Sequence, residues 1–156
     1  MNENYTILIV EDDPNDVLFL KRALKKNDIH NPVCTLSDGE EAIAYLSGFG
    51  KFADRNTHPF PRVIILDLKM PRKSGLEVLE WLKEHPQYRV IPTIVLTSSK
   101  LNEDVIKAYG LGANSYMVKP SNFDDLQAMM KVAHEYWSMC LKPEAHEAAM
   151  KALKQQ

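Results

Sequence analysis

The residues with the clearest chemical potential stand at the ends of apolar runs. Ile7–Val10 leads into Glu11-Asp12-Asp13, Val63–Leu66 into Asp67, Ile94–Leu96 into Thr97-Ser98-Ser99, and Tyr116–Val118 into Lys119-Pro120. A carboxylate such as Asp67 can bind a metal, act as a general base, or serve as a nucleophile that forms an acyl phosphate. Placing Glu11 and Asp12 near it is costly unless a cation sits among them. Oxygen ligands without histidine or cysteine suit Mg²⁺, which keeps waters and accepts phosphate oxygens. Thr97 supplies a hydroxyl for a phosphoryl oxygen and Lys119 a compact positive charge. Phosphoryl transfer needs little more than such positioning and charge compensation.

These residues converge only if the fold gathers them. Short β-branched runs bounded by turn residues predict strands of a parallel sheet buried on both faces, and their alternation with helical patterns predicts βα units. In an open parallel sheet, ligands bind beyond the carboxyl ends of the strands. Asp13 is the expected N-cap of a first helix with Pro14 at its first position, running to about Asn27. Its Val17-Leu18-Phe19-Leu20 block is too continuous for all four side chains to reach one core, so one is expected at the surface.

A second strand is expected at Val33–Leu36 and a helix from Ser37 or Asp38 to Leu46, followed by an aperiodic loop over Phe49–Pro61. Ser74 caps a helix with Leu76, Leu79 and Leu82 on one face, stopped by Pro86. Ile91–Thr97 is the fourth strand, and a short helix opens at Asn102 or Glu103 and ends at Gly110 or Gly112. Ser115–Val118 is the fifth strand and Asn122–Cys140 a long last helix. Pro143 then breaks the pattern, leaving an alanine-rich helical segment over Glu144–Gln156. Residues 1–142 are thus read as one domain and 143–156 as a C-terminal helical extension. Trp81 and the five histidines are read as packing or solvent-facing residues.

The chain of 156 residues is long enough for one domain that buries roughly two thirds of its unfolded surface. A formal net charge of −2 gives no electrostatic case for a nucleic-acid face. No apolar stretch approaches the roughly 20 residues of a membrane span, and Met1–Tyr5 lacks the features of a signal peptide. Cys34 and Cys140 have no metal-site spacing and read as reduced thiols of a cytoplasmic protein.

Taken singly, each strand-end residue is ordinary, since such acids usually serve as turn residues or caps. Their conjunction is not ordinary. ILIVEDDP from Ile7 to Pro14, IILDLKMPRKSG from Ile64 to Gly75, VLTSS from Val95 to Ser99 and YMVKP from Tyr116 to Pro120 resemble the signatures of response-regulator receiver domains. The resemblance runs from about Thr6 to Leu141. It implies a flavodoxin-like, doubly wound five-stranded parallel sheet in the order 2-1-3-4-5. It further implies that Asp67 accepts a phosphoryl group from a phosphohistidine of a sensor histidine kinase. Glu11 and Asp12 would then hold Mg²⁺ together with Asp67 and the backbone carbonyl of Lys69. Thr97 would be the switch hydroxyl, Tyr116 the switch aromatic, Lys119 the partner of the phosphoryl group, and Lys119–Pro120 a cis peptide.

The loop before the third strand, Tyr136-Trp137, and Cys140–Pro143 narrow the resemblance to stand-alone regulators that partner bacterial phytochrome-type kinases. Such relatives imply a homodimer through the last helices. With only Pro143–Gln156 left over, output is expected through contacts with a downstream protein. Glu11 departs from the commoner aspartate, and its extra methylene favours a water-mediated metal contact.

Three other readings compete with a signalling switch. An aspartyl-phosphate phosphohydrolase of the dehalogenase type wants a second acid two residues after the nucleophile, where this chain has Lys69. A flavin-binding module on the same sheet would find its phosphate repelled by Glu11–Asp13. A receiver-like interaction module that is never phosphorylated would have no use for the complete set of site residues.

Overall fold

The structure, a computed structural model, describes residues 4–140. The expected helical segment over Glu144–Gln156 and the domain boundary at 142/143 lie outside the described residues. Five parallel strands, β1 (Thr6–Val10), β2 (Val33–Leu36), β3 (Pro61–Leu66), β4 (Thr93–Thr97) and β5 (Ser115–Val118), form one sheet in the order β2-β1-β3-β4-β5. The helices are α1 (Pro14–Lys26), α2 (Gly39–Ser47), α3 (Gly75–Glu84), a single turn α4 (Pro86–Arg89), α5 (Asn102–Gly110) and α6 (Phe123–Met139).

The apolar runs explain why helices cover both faces. Alternate residues of a strand point to opposite sides. Leu8, Val10, Ile64, Leu66 and Val95 meet Tyr45 and Leu46 of α2, Val78, Leu79 and Leu82 of α3 and Ala108 of α5. Ile7, Ile9, Val63, Ile65, Ile94 and Leu96 meet Leu20 and Leu24 of α1 and Met130, Ala133 and Trp137 of α6. The three central strands are therefore almost wholly buried, while edge strands β2 and β5 are half-buried. The Trp137 indole donates to the Tyr5 hydroxyl at 2.6 Å, which fastens α6 beside the start of β1.

Helix boundaries follow local chemistry. Asp13 accepts from the Asn15 amide with Pro14 at the first helical position, and Asn122 accepts from the Asp125 amide. Ser74 and Glu77 form a reciprocal capping box at α3. The α2 helix ends at Gly48 with φ +70°, a left-handed conformation that costs glycine least.

Several elements differ from expectation. In the Val17–Leu20 block, two side chains rather than one stay largely exposed, Leu18 and Phe19, because only Leu20 points squarely at the sheet. β4 starts at Thr93 rather than Ile91, since Pro92 has no amide to donate. Pro86 ends α3 as expected but also opens α4 at its first position.

The stretch before β3 is a loop with one 3₁₀ turn at Gly50–Phe52, and Arg55 organises it. Its guanidinium donates to the carbonyls of Tyr45 (2.7 Å), Leu46 (2.8 Å) and His58 (3.3 Å), and lies 3.8 Å from the Phe60 ring centre. It thereby caps the end of α2, whose last carbonyls have no partner within the helix. Trp81 is half-buried and stacks on His85 and Tyr88. Among the described residues no helix is long and apolar enough to cross a membrane.

Candidate functional site

Sheet register brings the strand ends together. Val10 pairs with Leu66, so Glu11 and Asp67 emerge side by side, and the Asp67 amide donates to the Val10 carbonyl at 3.0 Å. Thr97 pairs with Val118, which places Lys119 just beyond, its amide donating to the Thr97 carbonyl at 2.8 Å. The residues that follow the strands therefore line one edge of the sheet.

The Lys119 ammonium sits among three carboxylates. It donates to Glu11 Oε1, to Asp16 Oδ2 at 2.8 Å and to Asp67 Oδ2 at 3.2 Å. The other Asp67 oxygen accepts the Leu68 amide at 2.7 Å and the Lys69 amide at 3.5 Å, so the carboxylate is aimed by the loop that follows it. That loop is folded tightly by Gly75, whose amide donates to the Leu68 carbonyl at 3.0 Å. Asp67 and Glu11 are each only 6% exposed, whereas Asp12 is open to solvent. Beside them a cavity of about 240 Å³ opens between α1 and the start of α6, lined by Glu11, Asp16, Phe19, Lys119, Pro120 and Phe123 among others.

Burial pushes the Glu11 carboxyl up to about 8, with the Asp67 charge adding to the rise and Lys119 opposing it. For Lys119, burial disfavours the charge, but Asp16, Glu11 and Asp67 outweigh it and hold the ammonium above the usual lysine range. Glu11, Asp12 and Asp67 can bring one carboxylate oxygen each to within 4.8 Å of one another. An all-oxygen acid set with one open side suits a hard divalent cation, which would relieve the repulsion that Glu11 and Asp67 carry without one.

Thr97 is fully buried at the end of β4, and its hydroxyl accepts the Ser99 amide at 3.4 Å. Tyr116 is half-buried, with its hydroxyl donating to the Ser99 carbonyl at 2.9 Å, while its own amide donates to the Tyr109 hydroxyl at 3.1 Å. One expectation needs correcting. Every peptide bond among the described residues is trans, Lys119–Pro120 included. Lys119 reaches its three carboxylates with the form that X–Pro bonds favour by about 0.5–1 kcal/mol.

Two participants escaped the sequence reading. Asp16, in the first turn of α1, binds Lys119 directly. In sequence it is indistinguishable from an acid placed to suit the helix dipole. Asp104, in the first turn of α5, is 6% exposed; it accepts the Ser99 hydroxyl at 2.5 Å and pairs with Lys69 at 3.3 Å. The Ser99 hydrogen bond, with Lys69 assisting against the penalty of desolvation, holds the Asp104 carboxyl below its usual range.

A doubly wound 2-1-3-4-5 sheet with acids, threonine and lysine gathered at its carboxyl edge defines a receiver. Residues 7–131 match the response regulator receiver domain family, to which this chain belongs. The response regulator Rcp1 of Synechocystis sp. is 37% identical over 136 residues, covering 87% of this chain and 90% of that protein. Among solved structures, the phosphorylated cyanobacterial phytochrome response regulator RcpA is 34% identical with a TM-score of 0.84, covering 90% of this chain and 99% of its own. The Mn²⁺-bound form of Rcp1 is 36% identical with a TM-score of 0.80, covering 89% and 99%. The chain is thus a two-component response regulator, similar over most of its length to a cyanobacterial phytochrome response regulator.

Proposed function

We propose that Asp67 is the phosphoacceptor of this regulator. A carboxylate oxygen of Asp67 attacks the phosphorus of a kinase phosphohistidine; the N–P bond breaks and its electron pair returns to the imidazole. The observation that carries this reading is the Lys119 ammonium, which bridges Asp67 just past β3 and Glu11 just past β1 from the end of β5. A transferred phosphoryl group on Asp67 would meet that same cation. Glu11, Asp12, Asp67 and the Lys69 carbonyl would hold Mg²⁺, which when bound offsets charge on the phosphoryl oxygens.

Thr97 and Tyr116 are read as the switch pair. The Thr97 hydroxyl can donate to a phosphoryl oxygen on Asp67 while it accepts the Ser99 amide, so its movement toward the anion would pull on the loop whose Ser99 carbonyl holds Tyr116. Added charge paired with Lys119 then favours one of two packings of α5, β5 and α6. The protein acts as a signalling switch rather than a turnover enzyme, and its output goes to a protein partner. Exposed Val132, Tyr136 and Met139 on α6 support self-association through that helix. Similarity to regulators whose names include phytochrome supports a phytochrome-type sensor histidine kinase as donor.

The test is phosphorylation with acetyl phosphate and Mg²⁺, followed by intact mass. One acid-stable, base-labile phosphoryl group is expected, and none in Asp67→Asn. Equal mass gain in the variant removes Asp67 as acceptor.

A further inference from the structure

Lys69 poses the problem from which this inference starts. Its amide donates to Asp67 Oδ1, so its backbone lies against the acceptor carboxylate, yet its ammonium turns away to Asp104 on α5. The same Asp104 oxygen, Oδ2, accepts the Ser99 hydroxyl at 2.5 Å. Ser99 Oγ in turn accepts the Leu101 amide at 3.3 Å, which closes the entry to α5. Ser99 also touches both switch residues, donating its amide to Thr97 and offering its carbonyl to Tyr116. One buried carboxylate oxygen therefore joins the loop after Asp67 to the loop after Thr97.

An isolated surface ion pair of this length would be worth almost nothing. This one differs in two respects. Its acid is buried and already fixed by a hydroxyl, so little further ordering is needed to hold the lysine. Both tied segments also belong to the site that must rearrange. A phosphoryl group on Asp67 would attract the Lys69 ammonium, which must leave Asp104 to reach it, and the Thr97 hydroxyl, whose shift would stretch the bond it accepts from the Ser99 amide.

We propose that Asp104 is a positioning residue of the receiver site, holding Lys69 on α5 and Ser99 in place so that the unphosphorylated arrangement of both loops is favoured. The proposal rests on Asp67 being the phosphoacceptor. Releasing the latch frees one cation to face the anion added at Asp67 and loosens the loop that Thr97 must pull. Phosphoryl-like anions then bind more tightly.

The experiment is titration of the full chain with beryllium fluoride in Mg²⁺, a non-hydrolysing stand-in for the phosphoryl group, followed by calorimetry. The wild type, Asp104→Asn, Lys69→Ala and the double variant are compared, with thermal melts to establish that each is folded. Asparagine is isosteric and retains an oxygen for the Ser99 hydroxyl, so the substitution removes charge more than shape. Asp104→Asn is expected to tighten binding by about threefold to tenfold. Lys69→Ala should abolish most of that gain, and Asp104→Glu should return affinity to near the wild-type value. Unchanged or weaker binding in Asp104→Asn overturns the proposal, as does an equal gain with Lys69 absent. A merely structural role for Asp104 would give that equal effect in both backgrounds. Wild-type protein that takes up neither beryllium fluoride nor a phosphoryl group overturns the phosphoacceptor reading, and the latch with it.

Discussion

Gly75 offers the strictest test of how the loop after Asp67 aims the carboxylate. A Cβ built on Gly75 would lie 2.1 Å from the Asp67 carbonyl oxygen, 2.8 Å from Leu68 Cα and 2.9 Å from the Asp67 carbonyl carbon. Ordinary contact begins near 3.4 Å, so the first of these needs a shift of 3.4 − 2.1 = 1.3 Å. All three atoms are backbone, and no side-chain rotation relieves them. The Gly75 amide that holds the Leu68 carbonyl must move as well. Overpacking of this kind costs about 1–3 kcal/mol, and the fixed backbone puts Gly75→Ala at the upper end. At about 2–4 °C per kcal/mol for a chain of this size, the melting temperature should fall by about 6–12 °C.

Function should suffer more than stability. Displacing a reacting group by about 1 Å can cost about 10²-fold in rate. Phosphorylation of Gly75→Ala by acetyl phosphate, followed by intact mass at a temperature where the variant is folded, should slow by about ten- to a hundredfold. Gly110→Ala is the matched control, because nothing lies within 4 Å of its added Cβ and its backbone is not left-handed. There the melting temperature should hold or rise, by the equivalent of about 0.4–1 kcal/mol. A Gly75→Ala protein that melts and phosphorylates like the wild type would refute the claim that this close approach sets the site.

Two further outcomes are expected. Burial raises Glu11 from an ordinary 4.5 to about 8, so across that window the folded metal-free protein binds a proton that the unfolded chain has lost, and stability falls as pH rises. A divalent cation displaces that proton; Mg²⁺ should therefore raise the melting temperature more at pH 8 than at pH 6, a difference that Glu11→Gln abolishes, and equal shifts at both pH values would count against the Glu11 environment. Arg55→Ala removes three hydrogen bonds to carbonyls and the contact with Phe60, which should destabilise the protein by about 2–3 kcal/mol in denaturant melts and speed hydrogen exchange over the loop before β3.

Much of the architecture was legible because it rests on local signals. β2 and β5 fall where the short apolar runs predicted them, and Asp13 and Ser74 cap the helices they precede. Burial of β1, β3 and β4 on both faces follows from their unbroken apolar runs. The gathering of Glu11, Asp67 and Lys119 was legible for a topological reason: parallel strands release their chain ends at one edge. The exposure of both Leu18 and Phe19 was not legible, because one turn of helix cannot reveal how its stripe is rotated against the sheet.

The order of residues along the chain alone specified strands, caps and the kinds of groups meeting at one edge, because hydrophobic period and capping act over a few neighbours. It could not specify that Lys119 would also take Asp16, that one oxygen of Asp104 would serve Lys69 and Ser99, or that Arg55 would close α2. Those contacts join residues on separate loops and helices, and each depends on where long side chains end once register and packing are set. Three-dimensional packing decided all three.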